Sequence, residues 1–252
     1  MSDHLTSRAE RLPSSPPKAV LFDAYGTLLD VYSVSELIEE LFPGQGQALS
    51  KLWRDKQIEY TRLVTTSNHG AHYRPFSELT RAALTFAIKT LACDPMNVWA
   101  ETEFLLEYEP LIELLMAQYQ HLDAFPENLA VLQALKAHGI TTGILSNADA
   151  DMLQDAVRFA GMDSHLDHLI SVDVARKFKT HPDAYALGLQ ATGLKAGDIL
   201  FVSSNSWDAL AATWFGYQTL WVNRYHLPFE QLGTLPTHMG SDLNAVLDFF
   251  PS

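Results

Sequence analysis

A chain of 252 residues, 47% hydrophobic and 19% charged, is long enough for one sizeable domain or for a core domain carrying a smaller insert. Its 17 basic and 30 acidic residues give a formal charge of −13, which disfavours a nucleic-acid or anionic-membrane surface. The sequence has no run of about 18 apolar residues, so no transmembrane helix is expected.

The N-terminal stretch MSDHLTSRAERLPSSPP (1–17) has no apolar h-region and therefore does not read as a signal peptide. Its Ser, Pro and charge content predicts a mobile tail, and the expected compartment is the cytoplasm. KAVLF (18–22) is a short apolar run ended by a turn, the pattern of a strand buried on both faces. From about 31 to 117 the pattern is nearly all helical. Leu37, Ile38 and Leu41 form one stripe, PGQG (43–46) interrupts it, and Leu49, Trp53, Tyr60 and Leu63 follow at helical spacing. TTSNHGAHYRP (65–75) reads as an irregular loop, 77–92 as a third helix, and Asp94-Pro95 as the start of a fourth. The single cysteine, Cys93, cannot form an internal disulfide and reads as a buried structural residue.

Beyond this block, ITTGILS (140–146), HLISV (168–172), DILFVS (198–203) and QTLWV (218–222) are further strand candidates. Helices are expected between them. Residues 127–138 place Leu129, Leu132 and Leu135 on one stripe before Gly139, and 150–160 do the same with Met152, Leu153, Ala156 and Phe159. Pro182 suits a helix first turn and Gly193 its cap; a last helix runs from about Trp207 to Phe215 and stops at Gly216. Strands alternating with helices predict an α/β fold with a doubly wound, Rossmann-like, mainly parallel sheet. The expected division is a core domain from 18–30 and 118–252 and a helical cap domain from 31–117.

Ligands of such sheets bind at the carboxyl ends of the strands. There the sequence supplies Asp23, Ser146-Asn147, Lys179 and Tyr185 in DVARKFKTHPDAY, and Ser203, Asn205 and Asp208 in SSNSWD. Each has an ordinary structural explanation. Asp23 can be a turn former, Ser146-Asn147 and Asn205 or Asp208 can cap helices, Lys179 can be a solvated charge, and Trp207 can serve packing alone. Their joint placement carries more weight than any one of them.

FDAYGTL, the SN pair at 146–147, KTHPDAY and FVSSNSWDA resemble, in order and spacing, the four motifs of the haloacid dehalogenase superfamily. FDAYGTLLDVYSV, LWRDKQIEYT and ILFVSSNSWDALAATWFGYQTLWVNR are closer to one branch, the L-2-haloacid dehalogenases. The resemblance covers roughly residues 18–225. It implies an aspartate nucleophile that forms a covalent intermediate which water hydrolyses. Most members of the superfamily are phosphatases, with a second Asp two residues after the nucleophile and Mg²⁺ as cofactor. Here that second position is Tyr25, which cannot be a carboxylic acid near neutral pH, and SSNSWD lacks the adjacent acids a hard cation prefers. No metal and no other cofactor is expected.

Halide displacement makes different demands. A halide leaves without a proton, an aspartate is already ionised at neutral pH, and the site need only cradle the departing anion in dry surroundings. The resemblance implies that Asp23 attacks C2 of a 2-haloalkanoate and that Arg54, Asn147 and the edge of Trp207 receive the halide. Ser146 and main-chain amides after Asp23, beginning with Ala24, would hold the substrate carboxylate. Thr27 and Lys179 would orient Asp23, with Tyr185 supporting Lys179. Asp208 would be the base for water, which Ser203 and Asn205 place. Tyr25, Ile58, Phe76 and Trp207 would wall an apolar pocket. The partner implied is a small 2-haloacid, with a homodimer as the assembly.

Three positions and one loop depart from the family pattern. Asp55 stands where glutamine is usual and would add negative charge beside the halide site, Arg62 stands where tryptophan is usual, the 65–75 loop is longer, and Thr180 follows the lysine in place of proline. Two rival readings remain at this level: a Mg²⁺-dependent phosphatase on the same fold, and a binding protein that keeps the scaffold without turnover.

Overall fold

The computed structural model describes residues 15–91 and 101–250. Most of the 1–17 tail, Cys93 and the Asp94-Pro95 helix start lie outside the described residues. The five expected strands form β1 (Ala19–Phe22), β2 (Thr141–Ser146), β3 (His168–Ser171), β4 (Ile199–Ser203) and β5 (Gln218–Val222), and a sixth, β6 (His238–Gly240), extends the sheet. All neighbours pair in parallel, in the order β3-β2-β1-β4-β5-β6. The sequence does not announce β6 because it is three residues long and half open to solvent, so it has no buried apolar run. Every residue of β1 is fully buried, as expected for a strand covered on both faces. Phe22 lies level with Ile144 of β2 on one side and Val202 of β4 on the other. The strand order therefore reverses at β1, which opens a crevice beyond its carboxyl end.

Between β1 and β2 lie α1 (Ser35–Leu41), α2 (Gly46–Thr66), α3 (Phe76–Leu91) and α4 (Glu101–Gln120). The core-side helices are α5 (Asn128–Ala137), α6 (Ala150–Phe159), α7 (Pro182–Thr192) and α8 (Ser206–Phe215). Pro182 does occupy the first turn of α7, and Gly193 and Gly216 close α7 and α8 in the left-handed conformation. Helix α7 sits so close to the sheet that a Cβ on Gly188 would clash with the Tyr217 hydroxyl and with the Leu21 side chain.

Three residues expected on buried stripes are exposed: Leu63, Leu129 and Phe159. On α2 the buried row is Leu49, Trp53, Gln57, Thr61 and Thr65, in steps of four, and it leaves Leu63 on another face. On α5 the buried stripe centres on Val131, Leu132 and Leu135, and on α6 on Met152, Leu153, Ala156 and Val157. Phe159 instead stacks on the His121 ring, 4.5 Å between centroids. The 65–75 segment is more ordered than a plain loop. Helix α2 runs on to Thr66, and a 3₁₀ turn at Ser67–Gly70 follows, with Asn68, His69 and Gly70 at positive φ. Helix α3 begins on a bond from outside its own neighbourhood. Asp149, in the loop after β2, accepts from the amides of Phe76 at 2.6 Å and Ser77 at 3.1 Å, which satisfies two of the helix's free N–H groups and ties the inserted helices to the sheet.

Candidate active site

Asp23 prolongs β1 by one residue, its amide donating to Val202 O at 2.8 Å. The chain then turns sharply. Ala24 O accepts from the amides of Thr27, Leu28 and Leu29, and Gly26, at φ +92°, donates its amide to Leu29 O. A left-handed φ at that point suits glycine, and the turn leaves the Asp23 carboxylate at the strand tip.

Three donors hold that carboxylate. Oδ2 accepts from the Thr27 hydroxyl at 3.0 Å and from Asn205 Nδ2 at 2.8 Å; Oδ1 accepts from Lys179 Nζ at 3.0 Å. Lys179 Nζ also donates to Asp208 Oδ2 at 3.0 Å, and the Tyr185 hydroxyl donates to Asp208 Oδ1 at 2.7 Å. Lys179 and Asp208 are 1% and 0% exposed, so two carboxylates share one ammonium out of water. Burial pushes the Lys179 ammonium toward neutrality, but Asp208 and Asp23 outweigh it and raise its pKa above the usual lysine value. Burial, with the nearby Asp23 charge, raises the Asp208 pKa despite the pull of Lys179 and makes Asp208 a stronger base than a solvated carboxylate. A second layer fixes the turn. The Thr27 hydroxyl accepts from the Ser204 amide at 2.9 Å, and Arg224, paired with Glu127 at 2.6 Å, donates to Thr27 O at 3.0 Å.

The ordinary structural explanations can now be judged. Asn205 is the N-cap residue of α8, yet its side chain makes no capping bond and reaches Asp23 and Arg54 instead. Asp208 lies in the first turn of α8 and is turned toward Lys179. Ser146 and Ser203 do serve local turns, accepting from the amides of Ala148 and Asn205, both at 3.1 Å. Asn147 Oδ1 accepts from the Lys179 amide at 2.9 Å, which turns its NH₂ the other way. The Lys179–Thr180 peptide bond is cis.

From α2, Arg54 reaches the same place. Its Nη2 donates to Tyr25 O at 3.1 Å and to Asn205 Oδ1 at 3.3 Å, and its Nη1 to Gln57 Oε1 at 2.7 Å. Gln57 is held in turn by Thr80, through Nε2 at 2.7 Å, and by the Tyr119 hydroxyl at 3.2 Å. Tyr25 stacks flat on Tyr119, with 5.6 Å between centroids and 4° between planes, and packs against Phe76. Burial pushes the Tyr25 hydroxyl well above its ordinary pKa, so it is neutral.

These groups enclose a cavity of about 20 Å³ lined by Asp23, Tyr25, Arg54, Ile58, Thr61, Phe76, Ser146, Asn147, Asn205 and Trp207. Nine of these ten are candidates from the sequence; Thr61 was missed. Ala24 is fully buried and is not in the lining. Thr27, Lys179, Tyr185, Ser203 and Asp208 lie behind the cavity wall. Gln57 and Tyr119 were also missed, although the i+4 row Leu49, Trp53, Gln57, Thr61 is a signal for both Gln57 and Thr61.

Two expectations are corrected. Tyr185 contacts Asp208 and so supports Lys179 only through it. Asp55 does not add charge beside Arg54: one residue along a helix turns about 100°, and Asp55 points outward, paired with Lys51 at 2.5 Å and more than half exposed. Among the described residues no group of three or more His, Cys, Asp or Glu side chains is gathered as for a metal ion, and the Lys179 ammonium bridges Asp23 and Asp208. This donor set does not fit Mg²⁺, which requires oxygen ligands in an octahedron.

The chain is similar to known proteins over most of its length. A family model for haloacid dehalogenase-like hydrolases matches residues 17–216. The chain is 40% identical to haloacetate dehalogenase H-2 of Moraxella sp. (strain B) over 232 residues, 91% of this chain and 96% of that protein. A crystal structure of an L-2-haloacid dehalogenase superposes with a TM-score of 0.86 at 46% identity, covering 93% of this chain and 99% of that one. The L-2-haloacid dehalogenase of Xanthobacter autotrophicus with chloropropionic acid covalently bound matches at a TM-score of 0.80 and 31% identity, covering 94% and 100%. The buried aspartate at the switch point, the lysine between two carboxylates and these likenesses lead to one conclusion: the chain belongs to the haloacid dehalogenase-like hydrolases, in their L-2-haloacid dehalogenase branch.

Proposed function

We propose that the protein hydrolyses short (S)-2-haloalkanoic acids to (R)-2-hydroxyalkanoic acids through an ester on Asp23, without a metal or other cofactor. The observation that carries this reading is a held, buried aspartate facing a small cavity, with a tyrosine, not a second acid, two residues on. An Asp23 oxygen attacks C2 from behind, the C–O bond forms as the carbon–halogen bond breaks, and the halide leaves with the bonding pair and no proton. Arg54, the Asn147 NH₂ and the edge of Trp207 receive it. The Ser146 O–H, free to donate because its oxygen accepts from Ala148, and the Ala24 amide hold the substrate carboxylate. Tyr25, Ile58 and Phe76 form its apolar wall.

Water then attacks Cγ of the ester. Asp208 takes the proton, Ser203 and Asn205 place the water, and Lys179 with Thr27 steadies the ester oxygens. The departing alkoxide recovers a proton from Asp208 and Asp23 returns as a carboxylate, so each turnover consumes one water and releases one halide and one proton. The core and cap divide as 18–30 with 118–252 against 31–117, the site lying between them. Among the described residues no helix is long and apolar enough to cross a membrane; the setting we propose is cytoplasmic and the assembly a homodimer, which sedimentation tests.

Halide should be released from (S)-2-chloropropionate, at a rate that a chelator leaves unchanged. Folded protein that releases halide from no short haloacid contradicts the proposal. Mg²⁺-dependent hydrolysis of a phosphomonoester would favour a phosphatase, and ligand-induced stabilisation without turnover a binding protein.

A further inference from the structure

The cavity at Asp23, at about 20 Å³, has room for one water and none for a haloacid, so substrate reaches Asp23 only when part of the lining moves. Two larger clefts lie outside it. One, of about 600 Å³, includes Arg62, Trp207, Trp214 and Glu230; the other, of about 550 Å³, includes Ile58, Glu59, Arg62 and Trp207. Trp207 is the one residue common to both clefts and the inner cavity, so it stands where the three meet. The Arg62 guanidinium stacks on that ring, 5.0 Å from its centroid, within range of a cation–π contact.

Arg62 is also placed on a route. Arg54, Ile58 and Arg62 follow one another in steps of four on α2 and so share a face. Arg54 lines the inner cavity, Ile58 the cavity and one cleft, and Arg62 both clefts. The two guanidinium-bearing residues start about 12 Å apart along the axis, one at the inner cavity and one at the clefts.

The charges near Arg62 leave it free. Asp55 is paired with Lys51, Glu59 with Lys56 at 2.8 Å, and Glu230 accepts from the Ser206 hydroxyl at 2.8 Å. Arg62 makes no ion pair among the described residues, and it is the only basic side chain lining either cleft. A chain of net charge −13 repels a carboxylate, and in clefts lined also by Asp55, Glu59 and Glu230, the first two of them paired with lysines, Arg62 is the one cation that can attract it.

We infer that Arg62 is the recruiting and specificity-determining residue of this site: it captures the carboxylate of the incoming acid in the outer cleft and, as it leaves the Trp207 ring to do so, frees that ring to admit the acid toward Arg54. This rests on the dehalogenase reading above. It makes Arg62 a positioning residue, acting before chemistry and through Trp207.

Steady-state halide release from (S)-2-chloropropionate, measured over a range of ionic strength, tests it with R62Q, R62K and R62W, each checked for folding by circular dichroism. R62Q should lower kcat/KM about tenfold at low salt through KM, with kcat nearly unchanged, and should flatten the salt dependence that the wild type shows. R62K should keep most of that dependence. R62W, which can stack on Trp207 without charge, should behave like R62Q. Wild-type kinetics in R62W would assign the role to packing and overturn the inference, as would an R62Q enzyme with unchanged KM and salt slope, or one that loses kcat alone. A wild-type protein that releases no halide overturns the functional reading itself, whereas an active wild type matched by R62Q overturns only this inference.

Discussion

Replacing Asp23 with alanine should remove halide release almost entirely, by about four to six orders of magnitude, the scale on which enzymes lose activity when the member of a catalytic unit that forms the covalent bond is deleted. The loss should not come from unfolding. Asp23 shares Lys179 with Asp208, and the 3.0 Å bond from Lys179 to Asp208 survives the change. The buried cluster passes from two carboxylates and one ammonium to one of each, so no charge is left unpaired. The bonds forfeited are those from Thr27, Asn205 Nδ2 and Lys179. Asn205 Nδ2 keeps Tyr25 O and Lys179 keeps Asp208, so the Thr27 hydroxyl is the one donor orphaned, at a cost of about 1–3 kcal/mol. Denaturant titration alongside the assay separates the two effects. A folded Asp23→Ala protein that still turns over would show that another group, or water itself, is the nucleophile.

The converse substitution, Lys179→Met, should act on stability as well as on rate. It leaves Asp23 and Asp208 buried and facing each other without a cation, and losing one partner from a buried pair costs about 3–5 kcal/mol. One of the two carboxylates should then take up a proton, so the variant should regain more stability than the wild type as pH is lowered from 7. In the wild type the raised pKa of Asp208 acts in the same direction, but Lys179 opposes it. The sign of the ammonium's own contribution in the wild type follows from the Lys179 shift. Its pKa is raised on folding, so the ammonium's stabilising contribution is complete below the unfolded value of about 10.4 and is lost only as pH rises through the higher folded value. Denaturation midpoints of wild type and variant between neutral and mildly acidic pH measure this. Equal midpoints at neutral pH would contradict the picture of one ammonium holding two carboxylates.

The parts of the structure that were legible in the sequence are those whose signal is local. KAVLF and DILFVS are unbroken apolar runs, and the acids and amides just beyond them fall at the strand tips by geometry alone, which is why Asp23, Asn205 and Asp208 could be gathered before any coordinates. What was illegible depends on rotation and on long-range partners. Leu63 and Phe159 look like core residues by type, but their helices turn other faces inward. Gln57 looks like a surface residue by type, yet it lies on the buried row with Trp53, where Arg54, Thr80 and Tyr119 satisfy it. Asp55 looked damaging because it adjoins Arg54 in the chain, and a helix separates neighbours by about 100°. Asp149 carried no sequence signal as the cap of α3, since 72 and 73 residues separate it from the amides it accepts. The contact of Tyr185 with Asp208 rather than Lys179 likewise depends on how α7 and α8 lie together on the sheet.

The mechanism depends most on Asp23 forming a bond to the substrate carbon. Its direct test is a single turnover of (S)-2-chloropropionate, with enzyme in excess, in water enriched in ¹⁸O, followed by mass spectrometry of the peptide containing Asp23 and of the hydroxyacid. If Asp23 forms the ester and water attacks its Cγ, the heavy oxygen appears in the Asp23 carboxylate and the hydroxyacid carries ordinary oxygen from Asp23. Heavy oxygen in the hydroxyacid with none in Asp23 would mean that water attacks the substrate directly, and would contradict the account.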